Sequence, residues 1–211
     1  MNLSKARRII VAGDSVFDNE PYVGSGRPVA SHLAELLPGW EVDFRALDGA
    51  ICADVCEDQI DIKSDGQKVE ALALSVGGND ALQHIGLLQD PTGHTFLATA
   101  LKLGGIQKAF RADYQQVLRN ANSHADRVIA LTIYRPRYHL DGWPKEAIDA
   151  IDPLLSIFND VIQEECRLAG VDVLDNRHVC TCDEDFANAI EPSDAGGRKI
   201  ATAITTWISV A

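Results

Sequence analysis

Short runs of β-branched and aliphatic residues alternate along this chain with longer stretches whose apolar positions recur at helical spacing. The runs fall at 8–12, 41–45, 69–76, 127–134 and 171–175, each of strand length. Leu72-Ala73-Leu74-Ser75-Val76 is nearly continuous in its apolarity, as a strand covered on both faces requires. Between the runs, Val29, Leu33, Leu36 and Leu37 share one side of a predicted helix over 28–37, which Pro38-Gly39 ends. Phe110, Val117, Leu118 and Ala121 do the same over 106–124. Ile148, Ile151, Leu155, Phe158, Ile162 and Cys166 form a long face over 144–169, ended by Gly170. A last helix is predicted to start at Pro192-Ser193 and to run through Ile200, Ile204 and Ile208. This alternation predicts an α/β fold with a parallel sheet between two helical layers. Right-handed crossovers leave a five-stranded doubly wound sheet, in the order 2-1-3-4-5, as the simplest topology.

The 211 residues show no repeat, low-complexity tract or linker, so residues 1–211 are read as one domain. Composition is that of an ordinary globular chain, 46% hydrophobic and 24% charged. Charge narrows the choice further. Nineteen Lys and Arg against 31 Asp and Glu give a net charge of −12. Such a field repels phosphate backbones, which removes nucleic acid from the expected partners.

No window approaches the ~20 apolar residues of a membrane span, and the Ile9 to Gly13 run is too short for a signal-peptide core. The expectation is a cytoplasmic protein with no membrane span; nothing in the sequence speaks to its oligomeric state. The five cysteines are odd in number, and the spacings of Cys52 with Cys56 and Cys180 with Cys182 are not those of a zinc ribbon. Reduced thiols are expected, and neither a metal nor a cofactor.

In open α/β sheets the ligand lies outside the carboxyl ends of the strands, near the point where strand order reverses. The residues that follow the strands therefore matter most. They are Gly13-Asp14-Ser15, Leu47-Asp48-Gly49-Ala50, Gly77-Gly78-Asn79-Asp80, the loop from Tyr134 to His139, and Asn176-Arg177-His178 with Asn188 to Ser193 beyond. A hydroxyl on a glycine turn is a candidate nucleophile. The Ser15 N–H, a Gly49 N–H without a Cβ in the way and the Asn79 amide are candidate donors to an oxyanion. Each turn alone is common, but all three at strand ends in this order are not a chance pattern.

In these blocks the chain resembles the SGNH hydrolases, also called GDSL-like lipases and esterases. Gly13-Asp14-Ser15 corresponds to their first block, Gly49 to the second and Gly77-Gly78-Asn79-Asp80 to the third. The resemblance implies a flavodoxin-like α/β/α fold, no metal or organic cofactor, and hydrolysis of acyl or acetyl esters. By position it makes Ser15 the nucleophile and assigns the oxyanion hole to Ser15, Gly49 and Asn79. The fourth block departs. Where the family carries Asp-x-x-His, this chain has Asn188-Ala189-Ile190-Glu191, so Glu191 stands at the place of the histidine and Asn188 at that of its aspartate.

A free glutamate is about two pKa units less basic than histidine. With a Brønsted slope near one half that costs about tenfold in rate, and partial burial that lifts Glu191 toward ~6 to 7 recovers some of it. Asn188 then serves as a hydrogen-bond donor beside the carboxylate. The expected function is hydrolysis of a small acyl ester through an acyl-enzyme, with Ser15 as nucleophile and Glu191 as base. The alternative is an inactive ligand-binding or interaction protein of the same fold, and Glu191 then reads as a helix-start carboxylate paired with Arg198 or with backbone N–H groups. His84, His139 and His178 also fall in loops at this rim, and His178 is the best substitute base. His32, His94 and His124 are read as structural, and Asp194 as a first-turn helix acid. Tyr22 to Pro28, Trp143 and the insert from Asp80 to Gly105 are expected to flank the pocket. A flavin at the same switch point is the weakest reading.

Overall fold

The computed structural model describes residues 7–60, 68–86 and 95–210. Five parallel strands, β1 (Arg7–Gly13), β2 (Trp40–Phe44), β3 (Val69–Ser75), β4 (Ala125–Leu131) and β5 (Asp172–Leu174), lie in the order β2-β1-β3-β4-β5. The helices are α1 (Val29–Leu36), α2 (Cys52–Asp54, continued by a π-turn Val55–Gln59), α3 (Gly78–Leu82), α4 (Phe96–His124), α5 (Lys145–Ala169) and α6 (Asp194–Ser209).

Side chains alternate across a strand, so each strand feeds two cores. Ile10, Ala12, Leu72, Leu74, Val128 and Ala130 point to the side covered by α4 and α5. Ile9, Val11, Ala71, Ala73, Ile129 and Leu131 point to the side covered by α1 and α6. The result is a three-layer α/β/α arrangement whose central strands are buried on both faces, which is why β3 reads as a continuous apolar run. The five described cysteines are free, and Cys182 is exposed.

Three elements differ from the sequence reading. Helix α4 starts at Phe96 rather than at Ile106, because Thr95 caps it by accepting from the Ala98 N–H and the helix runs through Gly104-Gly105. Local glycine preference argued for a boundary there, and capping overrides it. Residues 52–59, unassigned from sequence, form α2 and its π-turn. Strand β4 ends at Leu131, and Asn159 of α5 then takes over the next residue, accepting from the Ile133 N–H and donating to the Ile133 carbonyl. His94 and the middle of the 80–105 insert lie outside the described residues.

Two glycines at the strand ends hold backbone conformations that residues with a side chain rarely adopt. Gly13 closes β1 at φ +147°, where a Cβ would sit 2.0 Å from the Ser75 carbonyl oxygen. Gly77 follows β3 at φ +120°, with a Cβ position 3.0 Å from the Phe110 ring. Both permit the main chain to turn sharply at neighbouring strand ends, and those ends carry the site.

Candidate active site

Strands β1 and β3 pair with Gly13 opposite Ser75, so the turns that leave them emerge side by side. The Asp14 N–H donates to the Ser75 carbonyl at 2.9 Å. From the far side the buried Gln59 amide clamps Gly13, accepting from its N–H at 2.6 Å and donating to its carbonyl at 2.9 Å. The chain then winds through a helical turn in which the Phe17 and Asp18 N–H groups donate to the Asp14 carbonyl. That turn places Ser15, only 8% exposed, on the wall of a cavity of about 300 Å³.

The cavity lies over the carboxyl ends of β1, β3 and β4 and passes between α4 and α5. Ser15, Asn79 and Glu191 line it together, three residues drawn from the start, middle and end of the sequence. Asn79 donates one amide hydrogen to the Ala50 carbonyl at 3.1 Å, and its second hydrogen remains available for a ligand. The same bond fixes the turn that carries Gly49, which is exposed at φ +81° and lies outside the cavity lining. Tyr22 braces that turn from outside by donating to Asp48 at 2.6 Å, and Asp18 accepts from the Asp48 N–H at 2.9 Å.

Glu191 is 4% exposed and reaches the cavity from a loop that the structure holds at several points. Phe186 and Pro192 bridge across its base, the Ala187 N–H donates to the Glu191 carbonyl at 2.8 Å, and the buried Asn19 amide donates to the Pro192 carbonyl at 3.0 Å. Tyr134 donates its hydroxyl to the Ile190 carbonyl and packs its ring edge-on against Phe186. Asn188 turns out to be an acceptor. Its Oδ1 takes the N–H groups of both Ile190 and Glu191 at 2.9 Å each. Through that oxygen the side chain closes an Asx turn under the glutamate and so sets the backbone angle from which the carboxyl projects.

Burial pushes the Glu191 carboxyl up to about 7, a hydrogen bond from the Ser15 side chain works against that rise, and the charge of Asp48 adds to it. The Ser15 side chain thus acts on the titration of Glu191, while Glu191 Oε2 is buried with no hydrogen-bond partner among the described residues. Asp14 is also buried, and loss of hydration lifts it to about 7 although it accepts from Val16 N–H and the Ser75 hydroxyl; the nearby Glu191 charge raises it further. Two carboxyls facing one apolar cavity have a consequence for stability. A carboxyl whose native pKa lies above its unfolded value stabilises the fold below the unfolded pKa and loses that contribution as pH rises through the native one. Asp14→Asn is therefore expected to raise Tm at pH 8 and to give no gain at pH 4, by thermal unfolding at both values.

The histidines fall elsewhere. His178 is exposed, 3.8 Å from Asp175 and outside the cavity lining. His139 pairs with Asp183 at 3.0 Å, also outside it. The turn after β5 carries His178 along the rim of the sheet, and a separate turn after β4, Tyr138–Asp141, carries His139. His84 does reach the lining, as an exposed side chain just beyond α3. His32 is buried against Asp194 at 2.8 Å, which makes that first-turn acid a packing partner. Among the described residues no ion pair joins Glu191 to Arg198. Trp143 stacks on Tyr138, which lines the cavity, and so supports the wall from behind. Asn19, Gln59, Tyr134 and Asn159 have positioning roles that no sequence motif announced, because isolated amides and phenols carry no local signature.

Comparison with known proteins places this geometry among others. The model of the GDSL-like lipase/acylhydrolase family matches residues 11–199. Among solved structures, an extracellular lipase from Streptomyces rimosus superposes with a TM-score of 0.68 at 19% identity, covering 95% of this chain and 99% of that one. A member of the lipolytic G-D-S-L family from Veillonella parvula gives 0.69 at 15% identity, covering 97% and 99%. An acetyl-xylooligosaccharide esterase from Geobacillus gives 0.65 at 16% identity, covering 98% and 95%. At these identities the likeness is one of fold. No functionally curated protein matches the chain.

Proposed function

Because the chain belongs to the GDSL-like lipase/acylhydrolase family, we propose that it hydrolyses a carboxylic ester through an acyl-enzyme, with Ser15 as nucleophile and Glu191 as general base. One observation carries this reading: Ser15 and Glu191 stand together on the wall of one apolar cavity, close enough for the serine side chain to hold the glutamate carboxyl down. Glu191 titrates near 7, close to the ordinary histidine value of ~6.5, so burial makes up the basicity that the replacement of histidine removes.

In the first half-reaction Ser15 Oγ attacks the ester carbonyl carbon while its proton passes to Glu191. The Ser15 N–H, the Gly49 N–H and the free Asn79 amide hydrogen meet the oxygen on which negative charge develops. Glu191, now neutral, returns the proton to the departing alkoxide. In the second half-reaction a water attacks the acyl carbonyl and gives its proton to Glu191, whose Oε2 has no hydrogen-bond partner among the described residues; the intermediate then expels Ser15 Oγ, which takes that proton back from Glu191 as the carboxylic acid leaves. A glutamate differs from histidine here, since it becomes neutral rather than cationic beside the oxyanion. The three donors then carry a larger part of the charge stabilisation.

The cavity speaks to the acyl group. Leu82, Ile106, Ile133, Ile151, Leu155 and Phe158 form much of its wall, and a volume of about 300 Å³ lies at the small end of ligand pockets. A short apolar acyl chain fits these walls better than a sugar or a charged acid. The test is hydrolysis of p-nitrophenyl esters from acetate upward. We expect kcat/KM to rise by about fourfold per added methylene and then to fall once the cavity is full. Ligand-induced stabilisation by butyrate with no turnover of any ester would instead favour the inactive binding protein.

A further inference from the structure

We propose that the outer face of the first turns of α4 docks onto a lipid surface carrying anionic headgroups. Phe96, Leu97 and Leu101 are 90%, 67% and 69% exposed. Single exposed apolar residues are ordinary, but three large ones within two turns form a patch. Helical spacing puts Leu97 and Leu101 on one side of α4 together with the exposed Lys108, and sets Phe96 at the edge between that side and the cavity. Thr99, Leu103 and Ile106, on the other side, line the cavity. These turns are therefore a roof, with the cavity beneath and, among the described residues, no partner on the apolar face above.

Charge selects the occupant. From Thr95 to Arg111 the sequence has no Asp or Glu, in a chain with 31 of them and a net charge of −12. Arg111 is committed to Glu164 and Glu165 of α5, whereas Lys102 and Lys108 stand exposed. Apolar side chains flanked by lysines are the composition of helices that lie in the headgroup region of a membrane. A second copy of the chain is a poorer occupant. A symmetric contact would set the same lysines against each other. A lipid surface also suits the position, because the edge of the roof, at Thr99 and Lys102, is the rim of the cavity. The inference goes beyond ester hydrolysis and does not need Ser15 to be reactive.

The test is flotation of the full chain with vesicles of phosphatidylcholine alone and of an equal mixture with phosphatidylglycerol. The chain is expected to float with the mixed vesicles, more weakly with phosphatidylcholine, and less as salt is added. F96S/L97S/L101S is expected to lower binding at least about tenfold, and K108E about fivefold. Both variants should hydrolyse a soluble p-nitrophenyl ester at the wild-type rate, which shows that they are folded. S15A should float like wild type, so failure of the catalytic reading and failure of this one are separable. Absence of flotation with either vesicle overturns the proposal, as does a triple variant that binds undiminished. Self-association of the wild type that the triple variant abolishes assigns the face to a second copy and equally overturns it.

Discussion

Replacement of Ser15 by alanine is expected to lower kcat/KM for a p-nitrophenyl ester by about 10⁴-fold or more, with little change in Tm. The expectation rests on the loss of the atom that forms the acyl-enzyme, after which only positioning and oxyanion donors act on the ester. Ser15 is one methylene and one hydroxyl on a turn held by Gly13, Gln59 and the Asp14 carbonyl, so the backbone that shapes the turn does not depend on it. The variant also has a signature away from the rate. Without the Ser15 hydrogen bond, which holds the Glu191 carboxyl down, the glutamate should titrate higher still, as carboxyl NMR or a pH-dependent difference spectrum would read. A Ser15→Ala rate within tenfold of wild type would remove Ser15 from the mechanism.

The second large effect is expected at Glu191. Glu191→Gln keeps the shape of the side chain and removes its ability to take a proton, and it should lower kcat by about 10²–10⁴-fold. The pH profile distinguishes base from mere packing. In the wild type the base is competent only when ionised, so kcat/KM should climb with pH through about 7 and level off above it. In Glu191→Gln that limb should vanish from the residual activity. His178→Gln provides the contrast, because this exposed ring lies outside the cavity lining and its loss should leave both rate and profile unchanged. A wild-type profile in Glu191→Gln would end the assignment.

The fold was legible because its signals are local. Strands buried on both faces need continuous apolar runs, and helices over a sheet need one apolar side, so residues 72–76 and 148–166 declare their elements without reference to anything distant. The blocks at Ser15, Gly49 and Asn79 were legible for a related reason. A sharp exit from a strand demands glycine, and Gly13 and Gly77 occupy backbone positions where a Cβ meets a carbonyl or a ring. The start of α4 was not legible. Its cap at Thr95 and the glycine pair at 104–105 give opposite local advice, and the continuous helix won.

The sequence by itself determined the order of elements, the parallel sheet and the identity of the residues at the strand ends, since all of these follow from spacing and from the few conformations glycine alone permits. Tertiary structure alone decided which carboxyl or imidazole meets the Ser15 hydroxyl. Glu191 was one of several candidates along the chain, and it shares the cavity with Ser15 because Asn188, Tyr134 and Asn19 hold its loop there while the turn after β5 carries His178 away. Its titration near 7 likewise belongs to the folded state. Loss of hydration depends on what surrounds a group in space, and no stretch of sequence nine residues or ninety residues long encodes that on its own.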